Sequence, residues 1–451
     1  MLFLHLLTFY MHLTMHQFLI AAPHSGSGKT TLARGLMALY TQKGYVVQPY
    51  KCGPDYIDTK FHAGVCQRQS VNLDTFMATP DHVGRLYSHY AQDADICVVE
   101  GMMGLFDGYD RDRGSTAEIA RVLSLPVVLV VDARSAAYST AAMLSGFMHF
   151  RKDVRIQGVI FNKVGSSRHA DMLREVCDDL SLTCYGCVPK DERLENASRY
   201  LGLDFSAQAD ASNTATMIER HVDWQRLLDD TQTAHPYSSP HATNSSPHVP
   251  LRVLMARNEE SFSFVYQETV DSCGQLTTFD PEHDVPDFTG IDLLYLPGGY
   301  PEKHLEALAK AGQTRQAIRD YALNGGRIVA ECGGMMYLCN AILADDGQDG
   351  SEGTAFPLCG VLPYTITARR ADRRLSLGYR QFTLGGRHFR GHEFHYTRFV
   401  GNVPPSAAQV YNAKGMPVDS PVIVQGNVFA SYIHLMHPYW QMTASADGDL
   451  L

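Results

Sequence analysis

Positive charge is in short supply in this sequence: 38 Lys and Arg stand against 48 Asp and Glu, a formal net charge of -10. That balance excludes non-specific nucleic-acid binding, which needs a basic footprint. It leaves room for an acidic small substrate, because a local basic patch can sit in an acidic protein. Cysteine is sparse as well, ten residues in 451 without an even framework, which argues against a disulfide scaffold. One pair, Cys184 and Cys187, has CxxC spacing, but no second pair accompanies it as a structural zinc site would require. Long apolar runs are missing beyond the first twenty residues. That opening stretch lacks a basic n-region and a small-residue cleavage site, and three histidines interrupt it. Residues 1–14 therefore read as an upstream extension before the first strand, and a soluble protein of the reducing cytoplasm, with no membrane partner, is expected.

What is present is an ordinary globular composition, 45% hydrophobic and 19% charged, in a chain long enough for two or three domains. From Gln17 to about Cys187, short apolar runs alternate with helix-like segments: FLIAA (18–22), YVVQPY (45–50), DICVVEG (95–101), PVVLVVDA (126–133) and RIQGVIFNKV (155–164). Near-continuous apolar strands separated by helices predict a parallel sheet covered on both faces. Residues 229–250 are rich in Ser, Pro, Thr and His and read as a linker. The pattern then restarts with LRVLMA (251–256), IDLLYLPGG (291–299) and GRIVAECGG (326–334). The expectation is two α/β domains, 15–228 and 251–445, joined by 229–250.

The first strand runs into Ser25-Gly26-Ser27-Gly28-Lys29-Thr30-Thr31. A glycine-rich turn opening a helix aims backbone N–H groups at phosphate oxygens, and the helix dipole adds to the attraction. Lys29 would reach the outer phosphates and Thr30 would ligate Mg²⁺. Pro23 stands where the first glycine of the usual pattern would be. Glu100, leaving a buried strand, is the acid expected to face the metal. Asn162 and Lys163, at the end of a later strand, are candidates for the nucleobase edge. Loops after parallel strands line the ligand crevice, so in KCGPDYIDTKFH (51–62) Asp55 is a candidate metal ligand, and Tyr56, Asp58 and His62 are candidate substrate contacts.

In the second half, Val329-Ala330-Glu331-Cys332-Gly333-Gly334 places a cysteine between a strand and a helix. A nucleophile at such a corner needs small neighbours, and a helix N-terminus favours the thiolate. Gly299, in LPGGY, and Gly333 would supply oxyanion N–H donors. His434, after the strand-like VIVQGNVFA run, is the expected general base.

Taken in order, PHSGSGKTT, KCGPDYIDTKFH, VNLDTF, VVEGMMGLFDG, LPGGYPE, ECGGMMYL, LGYR, RGHEFHYTR and SYIHL resemble the cobyrinic acid a,c-diamide synthase family, from about Met15 to Tyr439. The resemblance implies a dethiobiotin-synthetase-like P-loop domain fused to a class I glutamine amidotransferase-like domain. It implies ATP, Mg²⁺, L-glutamine and a corrinoid polycarboxylate as cofactors and substrates, and is compatible with a homodimer. The implied reaction is amidation of the a and c carboxylates of cobyrinic acid through an acyl phosphate. The same chemistry on hydrogenobyrinic acid or nickel-sirohydrochlorin is the alternative. Cys332 and His434 take the catalytic positions, with Gly299 and Gly333 at the oxyanion and Lys29, Thr30 and Glu100 at the phosphates and metal. Arg380, inside LGYR, is the expected contact for a substrate carboxylate. Pro23-His24 replaces a frequent Gly-Thr, and Asn258 stands where Asp is common. Met436 occupies the position where class I relatives carry an acid two residues after the histidine. The site is then a Cys–His dyad, or another group orients His434, with Glu393 a candidate.

Overall fold

The computed structural model describes residues 14–191, 208–234, 251–345 and 353–436. The chain divides into two compact units, Met1–Thr75 with Thr79–Ala242, and Phe76–Ala78 with Thr243–Leu451. No helix among the described residues is long and apolar enough to cross a membrane. Residues 1–13 of the expected extension lie outside the described residues.

The first unit is built on the strands β1 (Thr14–Ala21), β2 (Val47–Cys52), β3 (Val71–Leu73), β4 (Ile96–Glu100), β5 (Val127–Asp132), β6 (Ile156–Val164) and β7 (Thr183–Pro189). They lie in the order β3-β2-β4-β1-β5-β6-β7, and every neighbouring pair is parallel. Parallel pairing demands crossovers, here mostly helices, so both sheet faces are covered and β4 is buried at every position. Phe18, Ile20, Val98, Val128 and Ile160 from the strands pack with Leu32, Leu36 and Leu39 of the helix Lys29–Gln42. The register brings Lys51 opposite Glu100, Ile20 opposite Glu100, and Asp132 opposite Asn162. The polar ends of β2, β4, β5 and β6 therefore collect at the carboxyl edge of the sheet, where open α/β sheets place ligands.

The linker reading needs a correction at its start. Asp229 and Asp230 close the helix Trp224–Asp230, and β8 (Gln232–Ala234) pairs antiparallel with the start of β1. Polar side chains belong in the fold here because Thr231 bonds back to Leu227 O at 2.6 Å and Thr233 accepts from Gln17 at 2.7 Å. Composition cannot register such satisfied polar contacts.

The second unit carries a central sheet of β9 (Arg252–Ala256), β10 (Gln275–Phe279), β11 (Leu293–Leu296), β12 (Ile328–Glu331), β21 (Val422–Gln425) and β22 (Val428–Ser431), ordered β10-β9-β11-β12-β22-β21. Only the β21–β22 hairpin is antiparallel. One face packs Leu254, Leu296, Ala330 and Ala430 into a core; the other packs Val253, Tyr295, Val329 and Phe429. The strands β13 (Cys339–Ala344), β14 (Thr354–Pro357), β15 (Leu362–Thr367) and β18 (Arg398–Val400) form a second sheet. A third holds β16 (Ser376–Leu384), β17 (Arg387–His395), β19 (Val410–Asn412), β20 (Pro417–Val418) and β23 (His434–Leu435). The last strand matters most for function, since pairing of His434 with His392 on β17 fixes where that imidazole sits.

Candidate functional site

In the first unit the turn after β1 bends through Gly26 and Gly28, at φ 80° and 95°. A Cβ on Gly28 would meet Asn162 Nδ2 at 2.2 Å, so glycine is required there for both backbone and space. Ser25 is exposed at the turn, and Ser27 is buried with its hydroxyl on His24 O at 2.9 Å. Lys29, Thr30 and Thr31 open the following helix. Lys29 is 8% exposed and its ammonium donates to Met103 O at 2.5 Å. Burial lowers its pKa, opposed by the Glu100 charge.

Thr30 Oγ1 donates to Glu100 Oε1 at 2.6 Å, and His62 Nε2 lies 2.7 Å from Glu100 Oε2. His62 is fully buried and its other nitrogen meets Ser70 Oγ at 3.2 Å. This corrects its expected role as a substrate contact: His62 braces Glu100. Burial alone would raise the Glu100 carboxyl, but the His62 hydrogen bond, the Lys51 charge and Thr30 hold it down to about 2. It is ionised at neutral pH. The hydroxyl and carboxylate oxygens of Thr30 and Glu100 are hard donors suited to Mg²⁺, which takes one or two protein ligands and completes its shell with water and phosphate. Among the described residues no group of three or more His, Cys, Asp or Glu could hold a metal by itself.

The Glu100 shift has a measurable consequence. Its folded value of about 2 lies below the ordinary 4.5, so the stability it contributes is full above pH 4.5 and is lost as pH falls toward 2. Thermal melts of the wild type are expected to drop more steeply between about pH 5 and about pH 3 than those of Glu100→Gln. Equal slopes would mean that the carboxylate is not held ionised by these partners.

Asp55 is engaged differently from its expected metal role. Its Oδ1 accepts from the Ile57 and Asp58 amides at 2.8 and 2.9 Å, closing the start of the helix Ile57–Cys66, while Oδ2 faces Lys51 at 3.9 Å. Tyr56 is half-buried at that helix start. Asp58 lies 3.6 Å from Lys51, and burial followed by the Glu100 and Asp55 charges raises its pKa. Lys51 was missed by sequence reasoning. It is 3% exposed, and although burial works to lower its pKa, Asp55, Glu100 and Asp58 raise it. A buried lysine held charged by three carboxylates ties those groups together at the sheet edge. Its local signal is its place near the end of β2, at the head of KCGPDYIDTKFH.

Asn162 braces the phosphate-type loop from below. Its Nδ2 donates to Ser27 O at 3.0 Å and its Oδ1 accepts from the Lys163 amide at 2.9 Å. Lys163, at φ 60°, reaches Gly26 O and Asp132 Oδ2, each at 3.2 Å. The open space beside the loop is instead a cavity of about 440 Å³ lined by His24, Asp132, Arg134 and Ser135.

In the second unit Cys332 sits at φ 46°, ψ −108° between β12 and the helix Gly333–Leu338. A non-glycine residue there is strained, as at a nucleophile elbow. Its amide donates to Ser431 O at 2.7 Å, tying the elbow to the end of β22 three residues before His434. The Gly298–Gly299 turn touches both: a Cβ on Gly333 would lie 3.1 Å from Gly299 N, and one on Gly298 would lie 2.1 Å from His434 Cε1. The sequence-predicted nucleophile, base and oxyanion glycines are thus gathered around one turn. Gly299 is in turn pressed against the carbonyl of Ser261, where a Cβ would clash at 2.2 Å. The loop 258–261 is held by Asn258, whose Nδ2 donates to Ser261 Oγ at 2.6 Å, Glu282 at 2.9 Å and Asp280 at 3.1 Å. An aspartate there would add a third negative charge to those two.

The thiolate expectation is corrected. Burial, then the Glu302 charge, pushes the Cys332 thiol up, and only the Gly333 N–H pulls the other way. Burial and the neighbouring His392 and His395 bring His434 down to about 3. The Cys332 sulfur lies 4.0 Å from Phe394 O, and a neutral thiol with a neutral imidazole as base suits chemistry in which the proton moves as sulfur attacks. Gly298→Ala is expected to push His434 aside and cut glutamate release about 100-fold or more while ammonia-supported turnover persists. A rate assay showing unimpaired glutamate release would contradict this packing.

Glu393 and Arg380 are also placed otherwise than expected. Glu393 bonds to Arg380 and, at 2.7 Å, to His395 Nε2, which with burial opposed hold it down to about 2. Arg380, 8% exposed, is further fixed on Tyr379 O at 3.0 Å. Both side chains are committed to each other across the β16–β17 pair, so Arg380 is a buried strut and not an open carboxylate site. The acid beside His434 is Glu331, with Oε2 4.0 Å from Nδ1. Glu331 precedes the nucleophile in sequence, and that adjacency gave no hint of its partner.

With both sites in view, comparison with known proteins is decisive. Residues 18–203 match the CobQ/CobB/MinD/ParA nucleotide binding domain and residues 252–438 the CobB/CobQ-like glutamine amidotransferase domain. The hydrogenobyrinate a,c-diamide synthase of Brucella abortus is 37% identical over 443 residues, covering 94% of this chain and 98% of its own. The chain belongs to the a,c-diamide synthase family. The cobyrinate a,c-diamide synthase of Caldanaerobacter subterraneus subsp. tengcongensis is 35% identical over 93% of this chain and 94% of its own. The hydrogenobyrinate a,c-diamide synthase of Mycobacterium tuberculosis is 36% identical with the same coverage. The two units are accordingly a nucleotide-binding domain and a glutamine amidotransferase domain, and the a,c-diamide synthase family expectation holds.

Proposed function

We propose that this chain amidates the a and c carboxylates of cobyrinic acid, using ATP as the activator and glutamine as the nitrogen source. The observation that carries this reading is the near end-to-end likeness to a,c-diamide synthases in a chain holding both a phosphate-type loop and a cysteine elbow. A carboxylate is a poor electrophile, and transfer of the γ-phosphoryl group turns one of its oxygens into a leaving group. The Gly26–Thr31 backbone cradles the phosphates, and Lys29 exchanges Met103 O for a phosphate oxygen. Thr30 and Glu100 would hold Mg²⁺, which neutralises phosphate charge when bound. Lys51 holds Asp55 and Asp58 at the sheet edge, and the cavity beside Asp132 and Arg134 is of a size for the nucleoside.

At the second site His434 takes the Cys332 proton as sulfur attacks the glutamine amide carbon. The oxyanion is met by the N–H groups of Gly299 and Gly333. Collapse to the thioester expels ammonia, which takes the proton back from His434, and water then releases glutamate. Making ammonia on the same chain raises its effective concentration for the acyl phosphate.

Hydrogenobyrinic acid is the second reading, favoured by the names of the Brucella and Mycobacterium relatives. The test is product mass after incubation with cobyrinic acid, hydrogenobyrinic acid or nickel-sirohydrochlorin, each with glutamine, ATP and Mg²⁺. Two exchanges of OH for NH₂ on cobyrinic acid are expected. No amidation of any ring with glutamate release intact would overturn the substrate assignment.

A further inference from the structure

Glu331 is the last residue of β12 and is 2% exposed, at the top of the core layer formed by Tyr295, Val329, Phe429 and Leu435. A carboxyl group in such a place is costly unless it is bonded. Two donors meet it: Tyr295 OH at 3.0 Å on Oε2 and the Leu435 amide at 3.3 Å on Oε1. Tyr295 stands on the neighbouring strand β11, and Leu435 follows His434 on β23, so both donors belong to the framework and neither to a substrate. Oε2 is also the atom 4.0 Å from His434 Nδ1, both side chains being almost wholly buried. That separation is longer than a hydrogen bond. Catalytic hydrogen bonds are commonly long before substrate binds and tighten in the complex.

Other acids near His434 are accounted for. Glu393 is spent on Arg380 and His395, and position 436 is methionine. His392 and His395, on β17, oppose an imidazolium at His434, and the Glu393 charge, though bonded elsewhere, favours it. The proton that His434 accepts from Cys332 therefore creates a buried cation, and Glu331 stands 4.0 Å from its Nδ1.

We propose that Glu331 is the positioning residue of His434, accepting its Nδ1–H when glutamine binds and stabilising the imidazolium formed as Cys332 attacks. The relay thus draws its acid from the residue before the nucleophile. The inference rests on the assignment of Cys332 and His434 as the glutaminase pair. Burial holds the Glu331 carboxyl up to about 8, against the pull of Tyr295 and the Leu435 amide. Its ionisation then contributes a rise in glutaminase rate on the alkaline side of neutrality.

The experiment measures glutamate release by the full chain from about pH 6 to about pH 9 for wild type, Glu331→Gln, Tyr295→Phe and Cys332→Ala, with ammonia-supported amidation as the check on the other unit. Glu331→Gln is expected to lower kcat about 100-fold or more with KM for glutamine little changed, and to lose the alkaline rise. Tyr295→Phe, which removes one donor to the carboxylate, is expected to move that rise to higher pH while keeping most of the activity. A Glu331→Gln protein within about threefold of wild type at every pH overturns the proposal. If that variant does not fold, an unshifted profile in Tyr295→Phe overturns it equally. Glutamate release surviving in Cys332→Ala would instead remove the glutaminase assignment on which the inference stands.

Discussion

Replacing Cys332 with alanine is expected to abolish glutamine-supported amidation while ammonia-supported amidation continues. The Cys332 sulfur is the protein atom that bonds to the glutamine carbon in the scheme, and its loss leaves His434 and the Gly299–Gly333 turn with nothing to activate. A fall of about 10³-fold or more in glutamate release follows from removing a covalent nucleophile. Alanine adds no backbone strain at the elbow, because the φ of 46° is already adopted by a residue with a Cβ. The fold around β12 and β22 should therefore survive, and supplying ammonia restores the product. Measuring product with each nitrogen source separates the two sites. Loss of both activities in a folded variant would refute the division of labour.

Replacing Lys29 with alanine is expected to remove amidation with either nitrogen source. Its ammonium is nearly enclosed, lies on Met103 O, and is the charge at the helix start that reaches phosphate. One preorganised donor to a developing phosphoryl charge is worth about 10² to 10³ in rate, and Lys29 adds a full charge to that. ADP release and product formation should fall together, while glutamate release by the second unit persists. Substantial ADP release in this variant would mean that the Gly26–Thr31 turn is not the phosphate site.

Both motifs were legible in the sequence because their chemistry is local. Ser25–Thr31 follows a strand and starts a helix in one continuous stretch, and so does the stretch from Val329 to Gly334 around Cys332. The parallel strands were legible for a related reason: β4 and β5 are apolar on both faces, a pattern that survives in the bare sequence. What escaped depends on partners far along the chain. His62 reads as an available imidazole until β4 brings Glu100 to within 2.7 Å of it. Arg380 and Glu393 read as two functional groups until the β16–β17 register turns them on each other. Lys51 and Glu331 sit at the first positions of KCGPDYIDTKFH and ECGGMMYL, but nothing local shows their roles, which come from strand ends meeting at a sheet edge. The Cys332 thiol runs against the helix-dipole argument because the Gly333–Leu338 helix is short and the thiol is buried near the Glu302 charge.

The central claim is that one chain moves the amide nitrogen of glutamine onto two ring carboxylates at the expense of ATP. Its most direct test supplies glutamine labelled with ¹⁵N at the side-chain amide, ATP, Mg²⁺ and cobyrinic acid, with unlabelled ammonia at a low level, and reads the product by mass spectrometry. The account predicts a diamide carrying the label at both new amides, with one ADP and one glutamate formed for each. Labelled ammonia accumulating in solution beside an unaltered ring, or an amidated ring formed without ADP, would contradict it.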